Sequence, residues 1–296
     1  MQCGCRQVIA KAEAIAHGAA TIVNAIAFGK GAAFGVDLWT KAEVKLTEEP
    51  HVIKGEITSD PAESTVLIER VVSRVLKHFN LEKRFGARVK TWSNIPVARG
   101  LKSSSAAANA VALATIAALG KNLDDLAVVN LGVDAAFEAK VTVTGAFDDA
   151  CASYFGGAVI TDNLNRKLLK RVALPEDLTV LFHVPASKAY TADSDVNKLQ
   201  TVKPLVKIAY KEAQKGNFWT ALTLNGLIYS SALGYSVAVA LDALVAGALA
   251  AGLCGKGPAV TAVVPADKVD SVRVALQRYE GEILHARLNH EKARVI

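Results

Sequence analysis

The sequence predicts an α+β chain in two domains, and three observations carry that prediction. The chain has 296 residues, 51% of them apolar, enough to bury more than one core. Its first ninety residues are punctuated by glycine and then alternate with a period of two, the pattern of half-buried antiparallel strands. Beyond them, helix-period segments and short β-branched runs follow one another. The last third closes in the order strand, helices, strand, helix, strand, which is that of a split β-α-β unit of ferredoxin-like type.

Taken in order, IVNAIAFGKGAAFGVDLWTKAEVKL supplies the first strands, and HVIKGEIT adds a short one after Pro50. In AESTVLIERVVSRVLKHF, residues Ala62 to Phe79, Val66, Ile68, Val71, Val72, Val75, Leu76 and Phe79 recur at near-helical spacing with charges between them, and Asp60-Pro61 gives the helix its start. The strand ARVKTWSNIP leads into a helix of small residues from Ala106 to Leu119, stopped by Gly120. Asn122 to Asp125 cap LAVVNLGVDAAFEAKV, which puts Glu138 near that helix's C-terminal end. TVTGAFDDACASYFGG reads as a Gly-bounded loop or short helix, and AVIT as a strand. The polar, basic run DNLNRKLLKR marks a boundary, dividing the chain into 1–165 and 166–296. LTVLFHV then reads as a strand, Val196–Gln214 and Phe218–Leu233 as helices, and the apolar run Val237–Leu253 as a buried helix. AVTAVV follows as a strand, Lys268–Tyr279 as a helix, and GEILHARLN as the closing strand.

Composition excludes several classes of function. Thirty-four Lys and Arg stand against 28 Asp and Glu, a net charge of +6, with no basic run and with 6% aromatics, too few for a base-stacking platform; no nucleic-acid partner is expected. The N-terminus carries Lys11 and Glu13 where a secretory signal needs an apolar core, so the expected location is the cytosol. Val237–Leu253 is interrupted by Asp242 and sits at the lower length limit for a bilayer span, so no membrane partner is expected. Cys3, Cys5, Cys151 and Cys254 are too scattered for a disulfide framework or a paired zinc motif, and are read as free thiols. The oligomeric state is not written in the sequence.

The chemistry concentrates in PVARGLKSSSA, Pro96 to Ala106. One serine is enough to cap a helix, and three precede this one. Residue types alone leave two readings open: an ordinary N-cap, or an anion site made of backbone N–H groups, the helix dipole and the Lys102 charge. The sequence lacks G-x-x-x-x-G-K-[ST], because Gly29-Lys30 and Gly255-Lys256 are each followed by glycine, and it lacks a dinucleotide-binding fingerprint, H-E-x-x-H and G-x-S-x-G. A serine-rich loop, Glu138 on a helix and Asp148-Asp149 in a Gly-flanked segment fit phosphoryl transfer. That reaction needs a phosphate cradle, a hard oxygen ligand for Mg²⁺ and a carboxylate for the attacking hydroxyl. Each also has a bland reading: Glu138 as a solvated helix charge, Asp148 as an N-cap.

PVARGLKSSSA resembles the P-x-x-x-G-L-x-S-S-A phosphate loop of the GHMP kinases. With NAIAFGKGAAFGVDL before it and TGAFDDACAS after it, the three-serine loop is similar, more narrowly, to the archaeal type of shikimate kinase. CGKGPAV, Cys254 to Val260, resembles the family's glycine-rich third motif. One departure lies upstream, where HGAATIV puts Ala19 and Ala20 in place of the polar residues of the family's G-E-H-like string.

The resemblance implies a ribosomal S5 domain 2-like N-terminal half and a ferredoxin-like C-terminal half, with ATP in the cleft between them. It implies transfer of the γ-phosphoryl group of ATP to the 3-hydroxyl of shikimate, or to homoserine or a related alcohol in a sister branch. A non-catalytic ligand sensor on the same fold is the alternative of another class. Nucleotide binding falls on Pro96, Val97, Ala98, Arg99, Gly100, Leu101, Lys102, Ser103, Ser104, Ser105, Ala106, Gly255 and Gly257. Ser104 and Glu138 become the Mg²⁺ ligands and Asp149 the catalytic base, since the family's acidic ligand lies eleven positions before its aspartate, as Glu138 does here. The acceptor carboxylate calls for a cation, with Lys11, Lys30, Arg99 and Lys188 as candidates.

Overall fold

The N-terminal half is built on one long hairpin, in which β1 (Lys11–Val23) runs antiparallel to β2 (Lys30–Thr47). The computed structural model describes residues 10–142, 145–186 and 196–296, so Cys3, Cys5 and Lys188 lie outside the described residues. Beyond Val36 the residues of β2 alternate between exposed or half-buried and buried, as a strand with one wet face should. Its first half is buried on both faces.

Along one side β2 is paired twice. Its far half pairs antiparallel with β4 (Gly86–Ser93) and its near half with β5 (Ala158–Asp162), outside which lies β6 (Lys167–Val172). On β4 sits β3 (Ile53–Ile57), and here the expectation of antiparallel strands is corrected: β3 and β4 run parallel. Parallel neighbours need a crossover, and α1 (Val66–His78) supplies it. The short β11 (Arg294–Val295) closes the other edge against β1, completing a seven-stranded sheet.

Four helices cover this sheet: α1, α2 (Ser103–Ala118), α3 (Asp125–Glu138) and α4 (Phe147–Phe155). Ile68, Val71, Val72, Val75 and Leu76 form the buried stripe of α1, as their spacing predicts; Leu67 joins them, while Val66, expected in the stripe, is exposed. α2 has no such stripe. It packs against the β1–β2 hairpin and against each of the other three helices, and its alanines let all of these approach closely. Asp124 caps α3, its side chain accepting from Leu126 N at 2.9 Å.

In the C-terminal half, β7 (Leu178–Val184), β8 (Ala250–Leu253), β9 (Val260–Pro265) and β10 (Glu282–Arg287) form a four-stranded antiparallel sheet in the order β10-β7-β9-β8. Among the described residues, four helices, α5 (Val196–Thr201), α6 (Lys203–Lys215), α7 (Phe218–Leu233) and α8 (Ala238–Val245), lie between β7 and β8, and α9 (Val269–Leu276) connects β9 to β10. First strand between fourth and third, with second outermost, is the ferredoxin-like order.

Three further expectations are corrected. The run Val237–Leu253 is not one buried helix: α8 ends at Val245, which is 88% exposed, Gly247 turns the chain at φ +109°, and Ala250–Leu253 becomes the edge strand β8. The helix predicted over Val196–Gln214 is broken into α5 and α6 at Val202. The polar run at 162–171 is largely strand: β6 keeps the first sheet going to Val172, seven residues past the expected boundary, and β11 returns the C-terminus to it.

Candidate active site

The helix α2 begins three residues earlier than its apolar pattern suggests, so that Ser103, Ser104 and Ser105 form its first turn. No side chain caps it. The cap position is Lys102, in the left-handed conformation at φ +64°, and the capping reading of the serines is thereby set aside. Ser103, Ser104 and Ser105, at the positive end of the helix dipole and with first-turn N–H groups that no side chain caps, all line one cavity of about 440 Å³. That volume suits a small ligand.

Val97, Ala98, Gly100, Lys102 and the three serines line the cavity from the loop side. Pro96, Arg99, Leu101 and Ala106 stand behind them; Leu101 and Ala106 are buried, and Arg99 donates from Nη1 to the Pro185 carbonyl at 2.8 Å. Gly255, Lys256 and Gly257 form the facing wall. Gly100 (φ +88°) lies so close to that wall that a Cβ would meet the Cys254 carbonyl oxygen at 2.5 Å. The two loops are also tied directly: Ala259 N donates to Arg99 O at 3.2 Å, and Cys254 Sγ to Gly100 O at 3.1 Å. At Gly100 the absence of a side chain thus lets one backbone approach another.

Asp148 and Asp149 enter from the first turn of α4, both buried. Asp149 Oδ2 is ion-paired with Lys102 Nζ at 3.0 Å, while its Oδ1 is buried without a hydrogen-bond partner. Burial opposes the charge on Lys102, but Asp149, Cys254 and Asp148 outweigh it, and the pKa of the ammonium is raised. Asp148 does not cap α4, whose cap position is Ala146. It is instead the end of a buried chain: Asn163 Nδ2 donates to its Oδ1 at 2.8 Å, and Thr161 Oγ1 donates to Asn163 Oδ1 at 2.7 Å. Burial, and next the charge of Asp149, push its carboxyl up to about 7 against the Asn163 bond and Lys102.

Not every expected residue arrives. Glu138 does not line the cavity; it sits in the last turn of α3, on the side that faces α1, with its carboxylate on Arg74 Nη2 at 2.7 Å. Of the cations proposed for an acceptor, Lys11 pairs with Glu13 and Glu43, and Lys30 with Asp162, all away from the cavity. Arg99 serves the loop rather than the cavity. The lysines that do line it are Lys102, Lys140 and Lys256.

The sequence reading also missed the floor. Thr21, Asn24, Thr40, Thr91 and Ser93 line the cavity from β1, the turn after it, β2 and β4. Asn24 holds the turn together, accepting from Ile26 N at 2.9 Å and donating to the Gly255 carbonyl at 3.0 Å. Small polar residues on strand faces that are otherwise apolar were the available signal.

Comparison with known proteins follows the same lines. The model of the GHMP kinases N terminal domain matches residues 66–157. The chain is 48% identical to the shikimate kinase of Methanosarcina mazei, covering 95% of each chain. It is 40% identical to that of Methanothermobacter thermautotrophicus, covering 94% of this chain and 96% of that one. Among solved structures, Lactococcus lactis galactokinase complexed with galactose superposes with a TM-score of 0.76 at 17% identity, covering 96% of this chain and 95% of that one. Methanococcus jannaschii mevalonate kinase gives 0.75 at 17% identity, covering 96% and 99%. These last likenesses are of fold.

Proposed function

The chain belongs to the archaeal shikimate kinases, a branch of the GHMP kinases, and from that premise we propose that it transfers the γ-phosphoryl group of ATP to the 3-hydroxyl of shikimate at the mouth of α2. One observation carries the assignment of parts: a buried aspartate, Asp149, faces the same cavity as a helix mouth whose three serines are not used as caps. The N–H groups and hydroxyls of Ser103–Ser105 hold phosphate charge in place as it redistributes during transfer. Asp149 Oδ1 orients the acceptor hydroxyl and takes its proton.

A bound Mg²⁺ would supply charge neutralisation to the transferring phosphoryl group. The donor chemistry fits it on one side, where Ser104 offers a hard oxygen at the helix mouth. It does not on the other, because Glu138 is held by Arg74 and the described residues contain no cluster of three His, Cys, Asp or Glu able to hold a metal. Ser104 would therefore act with the nucleotide's own oxygens rather than within a protein cage. The reading takes ATP and shikimate as small-molecule partners and the cytosol as the location. None of the described helices is long and apolar enough to cross a membrane.

The test is a coupled assay of ADP release across shikimate, homoserine and mevalonate. Turnover with shikimate alone is expected; preference for another alcohol would reassign the acceptor. In the same assay Asp149→Asn is expected to lower kcat by roughly 100-fold or more, with ATP affinity within a few-fold of the parent. An Asn variant of near-parental turnover would remove Asp149 from the reaction.

A further inference from the structure

Lys102 belongs by sequence to the loop expected to hold phosphate, yet its side chain is turned to the base. Resting on the assignment of Asp149 above, we infer that Lys102 is a positioning residue: its ammonium clamps Asp149 Oδ2, leaving Oδ1 to the acceptor hydroxyl, with Gly255 packed beside the clamp.

Four observations converge on the ammonium. The Lys102–Asp149 pair, at 3.0 Å, is enclosed, with the side chains 10% and 11% exposed. A pair so shielded is weakly screened, so its geometry is held firmly. The two oxygens of Asp149 are not equivalent, since Oδ2 is taken by Lys102 and Oδ1 is buried with no partner. A carboxylate with one oxygen fixed presents the other in a single direction, which is what attack on a phosphoryl group requires of the acceptor hydroxyl. The Lys102 backbone adopts φ +64°, a conformation costly for a residue with a Cβ, at the residue whose ammonium meets Asp149. Finally, a Cβ on Gly255 (φ +63°) would lie 2.5 Å from Lys102 Nζ, and nothing else lies as near to that position. Gly255 is itself fixed, its carbonyl accepting from Asn24 Nδ2 at 3.0 Å. The loop, the third motif and α4 are thus joined through one charged group.

The competing assignment is that Lys102 serves the nucleotide, and kinetics separate the two. For Lys102→Met, the clamp predicts that kcat falls by roughly 10- to 100-fold while the KM for ATP stays within about threefold of the parent. A large rise in the KM for ATP at parental kcat would overturn the inference. Lys102→Arg, which restores a cation, is expected to recover part of the lost kcat; no recovery would count against the clamp.

Because Lys102→Met leaves a buried carboxylate alone and can unfold the chain, Gly255→Ala provides the second arm. It keeps both charges and displaces the ammonium. Its loss in kcat is expected to vanish in the Lys102→Met background, read as non-additivity in a double-mutant cycle. Full additivity would refute the inference. Asp149→Asn, run alongside, distinguishes the two levels. If it is inactive while Lys102→Met turns over normally, the clamp fails and the base stands; if it is active, the base assignment fails and the clamp with it.

Discussion

Two adjacent aspartates in the first turn of α4 both line the cavity, and their partners separate them. Asp149 is ion-paired with Lys102; Asp148 is tied to Asn163 and sits close against the backbone of Gly31. With its folded-state value pushed up to about 7 by burial and the Asp149 charge, Asp148 stabilises the fold most when protonated. Its contribution is complete below the unfolded carboxylate range, near 4, and is lost as the pH rises through about 7. Asp148→Asn keeps an oxygen for Asn163 and carries no charge. The melting temperature of this variant should therefore gain on the parent between about pH 4 and 7 and hold a constant lead above. A difference that does not change across that window would contradict the assignment. The sequence could not distribute these roles. Eleven positions separate Glu138 from Asp149, but the chain between them passes through left-handed residues at Lys140 (φ +57°) and Ala146 (φ +48°), so the spacing does not say which carboxylates meet. The serine loop was more legible. Three hydroxyls exceed what a cap needs, and the structure resolves the excess by giving the cap position to Lys102.

Elements whose signal is local were readable. The stripe of α1, the Asp124 cap of α3 and the full extent of α7 (Phe218–Leu233) follow from periodicity and end residues. What failed depends on distant partners. The direction of β3 is set by the α1 crossover rather than by anything in IKGEI. In VAVALDALVAGALAAGL the apolar residues carry on past the end of α8 because β8 is covered, and an apolar run by itself does not separate strand from helix. α7 covers β8 with backbone against backbone, for Gly226 and Gly252 meet with no room for a Cβ on either. Helix propensity alone would make Gly226→Ala stabilising by about 1 kcal/mol. The close approach instead predicts a loss of about 1–3 kcal/mol in urea unfolding. A neutral or stabilised variant would show that the two elements can part without cost.

At the scale of the whole molecule, the cavity has no single owner. Its floor comes from the strands of the first sheet, its serines and aspartates from the first turns of α2 and α4, and its facing wall from Gly255, Lys256 and Gly257, between β8 and β9 of the second sheet. Hydrogen bonds from Asn24 to Gly255 O and from Ala259 to Arg99 O stitch the two bodies together at that point. Sequence motifs far apart in the chain thus line one cavity, whereas the polar residues of its floor gave no motif to read. The polar floor residues lie singly on strands and form no string. The measurement that tests the account most directly is a crystal structure with a non-hydrolysable ATP analogue, Mg²⁺ and shikimate. The account predicts the triphosphate against Ser103–Ser105 and the 3-hydroxyl of shikimate beside Asp149 Oδ1. A triphosphate bound elsewhere, with the mouth of α2 empty, would contradict it.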